Sequence, residues 1–122
     1  MAEKLKAANG GTCAFIDIYF PKEKADFFLE QLRPCWEAVV AEPECISFEV
    51  FRTDDNPEYV NFRFVECWAA SIEWLMNVQL QKEYYKPYLA VTEPLFVKPR
   101  EVKVFTCEPD WVVAKPSYFK PS

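Results

Sequence analysis

Apolar and polar positions change period along the chain in a way that predicts alternating strands and helices. Thr12 to Phe20 is β-branched and aromatic with period-two rows, Cys13, Phe15, Asp17 and Tyr19 on one side and Ala14, Ile16, Ile18 and Phe20 on the other, which predicts a strand. Pro21 suits the first turn of a helix. From Lys22 to Ala41 the residues Phe28, Leu29, Leu32, Cys35, Trp36, Val39 and Val40 recur at helical spacing. Pro34 lies inside that pattern and predicts a kink or break near Gln31–Arg33, because it removes one backbone bond. Glu44 to Arg52 alternates as a second strand, Thr53-Asp54-Asp55-Asn56-Pro57 is turn chemistry, and Glu58 to Trp68 is a third strand in a hairpin with the second. Ser71 to Tyr85 reads as a helix with Ile72, Leu75, Met76, Gln79 and Leu80 on one side, ended by Pro87. Tyr88 to Phe96 reads as a short helix or turn, and Arg100 to Cys107 as a fourth strand.

The order β-α-β-β-α-β is the ferredoxin-like α+β pattern, with an antiparallel sheet and both helices on one face. Residues 1–11 are expected to be a loose arm, 12–108 the domain, and 109–122 a tail carrying Trp111, Tyr118 and Phe119. The other sheet face reads as apolar, with Ile16, Ile18 and Phe20 assigned to it, and a monomer would show that face to water. A homodimer is therefore expected, its two sheets forming a shared α+β barrel and each tail packing on the partner subunit.

Composition narrows the chemistry. The chain of 122 residues is long enough for one domain, and its 51% hydrophobic and 17% aromatic content is high for a soluble protein. With 19 acidic against 14 basic residues the net charge is −5, so no nucleic-acid partner is expected. No apolar run approaches the ~20 residues of a spanning helix, and the first residues lack a signal-peptide core. No membrane partner and a cytoplasmic location are expected. Five cysteines, Cys13, Cys35, Cys45, Cys67 and Cys107, lie singly, which predicts reduced, packed thiols and neither disulfide nor metal site. Zero histidines exclude Ser-His-Asp and Cys-His catalysis and His-ligated metals. The only two glycines are adjacent, Gly10-Gly11, which excludes a phosphate-cradling loop.

The junction of the third strand and second helix, Glu66-Cys67-Trp68 followed by Ser71, together with the element order, resembles the antibiotic biosynthesis monooxygenase domains of the dimeric α+β barrel superfamily. Pro43-Glu44, Tyr84-Tyr85-Lys86-Pro87-Tyr88 and Phe96-Val97-Lys98-Pro99-Arg100 resemble fungal members. The likeness runs from about Cys13 to Cys107. It implies small-molecule work, often oxidation of polycyclic phenols without metal, flavin or other cofactor. It also implies a pocket lined by Trp68. Two departures accompany it. Where relatives carry a histidine on the second helix this chain reads Asn77-Val78-Gln79, and where they place asparagines on the first and third strands it has Phe15 and Phe64.

The candidate site follows from these residues. Asp17, mid-strand between two isoleucines, is a candidate base if burial raises its pKa, or else an ion-pair partner of Arg63 or a lysine. Glu66 is the weaker candidate, an acid or base in the pocket or a carboxylate serving the helix N-terminus. Trp68 and Trp74 read as stacking walls or core, Trp36 as the opposite wall, and Tyr19, Tyr85 and Tyr88 as lining. Gln79 interrupts an apolar series, so its inward amide needs a partner that a ligand would supply. The expected activity is cofactor-independent monooxygenation, or base-assisted cyclisation, dehydration or isomerisation, of an aromatic polyketide-like substrate. The alternative is a carrier for a planar hydrophobic ligand.

Overall fold

A computed structural model of the chain describes residues 11–119. Most of the expected N-terminal arm, residues 1–10, and the last three residues of the tail lie outside the described residues. Strands β1 (Thr12–Pro21), β2 (Cys45–Thr53), β3 (Tyr59–Trp68) and β4 (Lys98–Thr106) form one antiparallel sheet in the order β2-β3-β1-β4. Helices α1 (Ala25–Val40), α2 (Ile72–Asn77) and α3 (Tyr85–Thr92) complete the ferredoxin-like α+β fold. Among the described residues no helix is long and apolar enough to cross a membrane.

Strand register decides which row faces the helices. Antiparallel pairing places Ile16, Ile18 and Phe20 opposite Phe64, Phe62 and Val60. Ile18, Phe20, Val60, Phe62 and Phe64 are buried in one core with Phe28, Leu32, Cys35 and Val39 of α1. This corrects the assignment of Ile16, Ile18 and Phe20 to the uncovered face. The uncovered row is Cys13, Phe15, Asp17 and Tyr19 on β1, and Tyr59, Asn61, Arg63, Val65 and Cys67 on β3. It is more polar than expected, because Asp17 sits directly across from Arg63.

Helix α1 runs unbroken through Pro34, so the expected break does not occur. Its buried stripe, Ala25, Phe28, Leu32, Cys35 and Val39, lies on one side while Pro34 is exposed on the other, and that packing outweighs the single lost backbone bond. The second predicted helix is in pieces. Ser71 caps α2 by accepting a hydrogen bond from the Trp74 backbone N–H at 3.1 Å. A 3-10 turn follows at Gln79–Gln81, and Lys82 adopts an extended conformation that ends it. Pro87, expected to stop a helix, instead lies in the first turn of α3, where the backbone N–H it lacks would have no intrahelical acceptor. Ser71→Ala is expected to lower stability by about 1 kcal/mol in urea unfolding, and a loss of near-UV circular dichroism from Trp74 would accompany it.

Cysteine pairing is also corrected. Cys13 and Cys67 face each other across β1 and β3 with Cα atoms 4.4 Å apart and form a disulfide. That separation belongs to a non-hydrogen-bonded cross-strand pair, the site where opposed side chains come closest. Cys35, Cys45 and Cys107 are free thiols.

Candidate functional site

Glu66 stands near the end of the helix-side row of β3, between Phe64 and Trp68, and is only 7% exposed. Across the ladder lie Ala14 of β1 and Phe48 of β2. Burial pushes the Glu66 carboxyl up to about 7, although a hydrogen bond from Trp68 Nε1 at 3.1 Å and the charge of Arg100 act the other way. Desolvation thus outweighs the one directed donor the carboxylate has. Trp68 is fully buried and its ring lies 6.1 Å from that of the half-buried Trp74.

On the helix side of the sheet the short helical pieces gather polar groups. Gln79, fully buried, donates from Nε2 to the Tyr84 hydroxyl at 2.7 Å and to the Tyr85 hydroxyl at 2.8 Å. Tyr84 in turn donates to Glu42 at 2.8 Å. That bond and Lys82 hold the Glu42 carboxyl below its ordinary value. Burial raises the Tyr84 hydroxyl to about 12 and pushes the Tyr85 and Tyr88 hydroxyls up further. Burial likewise raises the thiols of Cys35 and Cys45 to about 11, and the nearby Glu66 charge adds to each. The same carboxylate raises Tyr85 and Tyr88, so all four groups share its field.

Among the described residues three buried polar atoms make no hydrogen bond of good geometry: Trp36 Nε1, Gln79 Oε1 and the Tyr88 hydroxyl, the last of which has Thr92 beside it. Native interiors rarely leave such atoms unmatched, at a cost of about 1–3 kcal/mol each. Trp36 packs edge-on against Phe48 at 6.2 Å and is capped by the Arg33 guanidinium 5.1 Å from its ring. Half-buried Trp36, Trp74, Tyr84 and Tyr85 pack against the core that contains Phe28, Phe62 and Phe64.

The sequence-derived candidates divide between the two sheet faces. Glu66, Trp36, Trp68, Trp74, Gln79, Tyr85 and Tyr88 belong to the helix side. Asp17 and Tyr19 lie on the open face. The Arg63 guanidinium bonds both Asp17 oxygens, at 2.8 and 3.0 Å, and holds the Asp17 carboxyl below its ordinary value. The expectation of a raised Asp17 pKa is therefore corrected: a bidentate ion pair outweighs its desolvation. Tyr19 donates to Glu101, which pushes its own hydroxyl up to about 12, and Lys98 lies 4.1 Å from its ring. Tyr19 also lines a small cavity of about 290 Å³ with Thr53, Asn56, Tyr59 and Asn61. Cys35, Cys45, Glu42 and Arg100 were not expected beside these residues, and nothing in the sequence pattern marked them.

A second, larger cavity of about 1130 Å³ lies over the open face between the sheet and the tail. Phe15, Phe105, Trp111, Tyr118 and Phe119 line it, beside Cys13, Cys67 and Cys107. The tail is anchored there by the Tyr118 hydroxyl, which donates to Glu49 of the same chain's β2.

A ferredoxin-like sheet with a buried carboxyl and an indole at the β3–α2 junction defines an α+β protein of the antibiotic biosynthesis monooxygenase type. The chain belongs to that family. It is 43% identical over 86 residues to a protein of Pestalotiopsis microspora named for monooxygenase activity, a match spanning 70% of each chain. It is 25% identical over 105 residues to an uncharacterised Synechocystis protein, covering 86% of this chain and 69% of that one. Among solved structures, a protein of Nitrosomonas europaea described as an antibiotic biosynthesis monooxygenase superposes with a TM-score of 0.70 at 15% identity, over 81% of this chain and 91% of the other. One from Caulobacter crescentus with the same description gives a TM-score of 0.67 at 18% identity, over 85% and 92%. At those identities the structures speak to the fold alone. No family model matches the chain.

Proposed function

We propose that the chain is a cofactor-independent oxygenase of a planar phenolic, polyketide-like molecule, with Glu66 as the base. One observation carries the reading: a desolvated carboxyl, pushed up to about 7, acts on Tyr85 and Tyr88, and Tyr85 accepts from a buried Gln79 whose Oε1 has no hydrogen-bond partner. A base that titrates near neutral pH gives the best compromise between ionised fraction and proton affinity. A ligand with one or two oxygens would satisfy Gln79 Oε1, Trp36 Nε1 and the Tyr88 hydroxyl, while Trp68 and Trp74 cover its ring faces.

The chemistry needs no external reductant. Glu66 takes a proton from the activated C–H or O–H of an anthrone-like substrate, and the resulting anion passes an electron to dioxygen. Recombination forms a carbon–oxygen bond, and loss of water leaves a quinone, so dioxygen is reduced by the substrate alone. Entry to Glu66 requires the short α2, 3-10 and α3 pieces to open, and short elements with few buried contacts open most easily. Asp17 takes no part in this step, being ion-paired on the opposite face.

Oxygen uptake with an anthrone or hydroquinone tests the reading. Turnover is expected to fall at least about 100-fold in Glu66→Gln and to be unchanged in Asp17→Asn. Uptake that survives Glu66→Gln would end the proposal. The carrier reading draws on the stretch Asn77-Val78-Gln79, which stands where the resemblance implies a histidine, and on Phe64, only 5% exposed, where it implies an amide. It predicts tryptophan-fluorescence quenching by the same ligands with no oxygen consumed.

The homodimer belongs to the same proposal. Phe51, Phe105, Trp111, Val113 and Phe119 leave large apolar area exposed, Trp111 at 85%. A second copy packed sheet to sheet would cover it, with the tail's Trp111 against the partner. Sedimentation at micromolar concentration is expected to give twice the chain mass, and a single-chain mass would overturn the arrangement.

A further inference from the structure

We propose that Cys13, Cys67 and Cys107 form a thiol–disulfide exchange site on the open face of the sheet, with Cys107 as the incoming thiol. This site is separate from Glu66 and does not rest on the function proposed above. Its parts come from three strands. Cys13 and Cys67 are bonded across β1 and β3. Cys107 follows β4, and its sulfur lies 3.5 Å from that of Cys13. The backbone fixes that approach, because the Cys107 N–H donates to the Gly11 carbonyl at 3.1 Å, one residue before β1. All three sulfurs fall within 4.8 Å of one another. They line the 1130 Å³ cavity, which a small molecule can enter in the single chain, before a second copy covers that face.

Exchange proceeds by attack of a thiolate along the axis of a disulfide. The three sulfurs form a compact triangle, so Cys107 must turn about its Cα–Cβ bond to come into line, and the cavity beside it leaves room for that turn. The Cys107 thiolate then attacks Cys13 Sγ. The Cys107–Cys13 bond forms, the Cys13–Cys67 bond breaks, and Cys67 leaves as a thiolate that takes up the proton Cys107 lost. One disulfide and one thiol exist before and after, so no electrons enter or leave. A small thiol entering the cavity opens a second route. It attacks Cys13 and releases Cys67, giving a mixed disulfide. Cys107 then displaces the small thiol, which leaves unchanged.

The two disulfide isomers are close in chain entropy. Cys13–Cys67 spans a sequence separation of 54 and Cys13–Cys107 one of 94. Closing the longer loop costs the unfolded chain only about twofold more, and in the fold both pairs of ends are already together, so chain entropy excludes neither isomer. Cys35 and Cys45 are outside the exchange. They pack into the helix-side core, where burial holds both thiols protonated. The migration has a structural consequence. Cys67 lies between Glu66 and Trp68, so moving the bond to Cys107 releases β3 at the carboxyl–indole junction. It also ties β1 to the residue from which the tail departs.

The test is peptide mapping of the full chain after an acid quench that freezes exchange. Wild-type protein incubated with a trace of 2-mercaptoethanol is expected to yield both Cys13–Cys67 and Cys13–Cys107 linked peptides. Cys107→Ser is expected to yield Cys13–Cys67 alone, and Cys67→Ser to yield Cys13–Cys107. Wild-type protein that gives only the Cys13–Cys67 link at every time point overturns the proposal, whether or not the variants fold. So does a quench in which all three cysteines alkylate as free thiols. Stoichiometric copper or zinc in the isolated protein, with all three cysteines resisting alkylation, would assign the trio to a soft metal instead and equally overturn it.

Discussion

At about pH 8, Glu66→Gln is expected to be more stable than the parent chain by about 3 kcal/mol while losing its proposed turnover. The argument is one of linkage. The Glu66 carboxyl titrates at 4.5 when solvated and is pushed up to about 7 in the fold by burial. Between those values the folded state holds a proton that the unfolded chain has released, so stability falls as pH rises through this window. Below the lower value both states are protonated and no penalty exists. Above the upper value the penalty is complete, because a carboxylate has been left in an apolar site with one donor, Trp68 Nε1 at 3.1 Å. Glutamine has nearly the same shape, keeps an oxygen for that donor and cannot ionise. Its advantage should therefore appear as pH is raised through the window and vanish near pH 4. Urea unfolding of both proteins across about pH 4 to pH 8 checks it. Parallel pH curves for the two proteins would show that Glu66 is not desolvated. Turnover is expected to change oppositely in the parent chain, rising as pH passes about 7 because the base must be ionised. A group that costs stability where it is active is a mark of a functional site rather than a packing one.

The fold was legible because each strand alternates and each connection carries turn residues, and those signals are local. The site was legible only in part, and strand β1 explains why. Both of its rows carry apolar side chains, so period two alone could not say which row meets the helices. The answer lay in its neighbour. On β3 the row Asn61 and Arg63 is polar and the row Val60, Phe62 and Phe64 is not. Antiparallel register then carries that polarity to Asp17 through Arg63. Glu66 follows by the same parity, two residues beyond Phe64, and could have been placed on the core side from β3 alone. The break between α2 and α3 left no such trace, since apolar spacing continues through Val78 and Leu80 while the backbone turns extended at Lys82. The Cys13–Cys67 bond joins residues 54 apart whose only relation is register, so no spacing motif announces it. Long-range pairing is what a periodicity argument does not contain.

The largest loss of stability is expected from Phe28→Ala. Phe28 is fully buried, and its ring stacks on Phe62 at 4.7 Å with an interplanar angle of 18°. It lies 5.0 Å from Phe20, 6.3 Å from Phe64 and 6.0 Å from Tyr88. Removing it opens a cavity where α1, β1, β3 and α3 meet, and a truncation of that kind costs roughly 3–5 kcal/mol. A domain holds only about 5–15 kcal/mol in total, so this one ring supports a large share of it. The urea midpoint should fall with little change in slope, because the surface exposed on unfolding is nearly the same. Phe27→Ala supplies the control. Its neighbour on α1 is 37% exposed and points away from the core, so its loss is expected to cost far less. Equal costs at the two positions would mean that α1 does not present the face described. The effect should also reach Tyr88, whose ring packs against that of Phe28 in a T-shaped contact. In Phe28→Leu, which keeps most of the volume, stability should recover most of the way. Any remaining loss of ligand-induced tryptophan quenching would then report Tyr88's positioning rather than global unfolding.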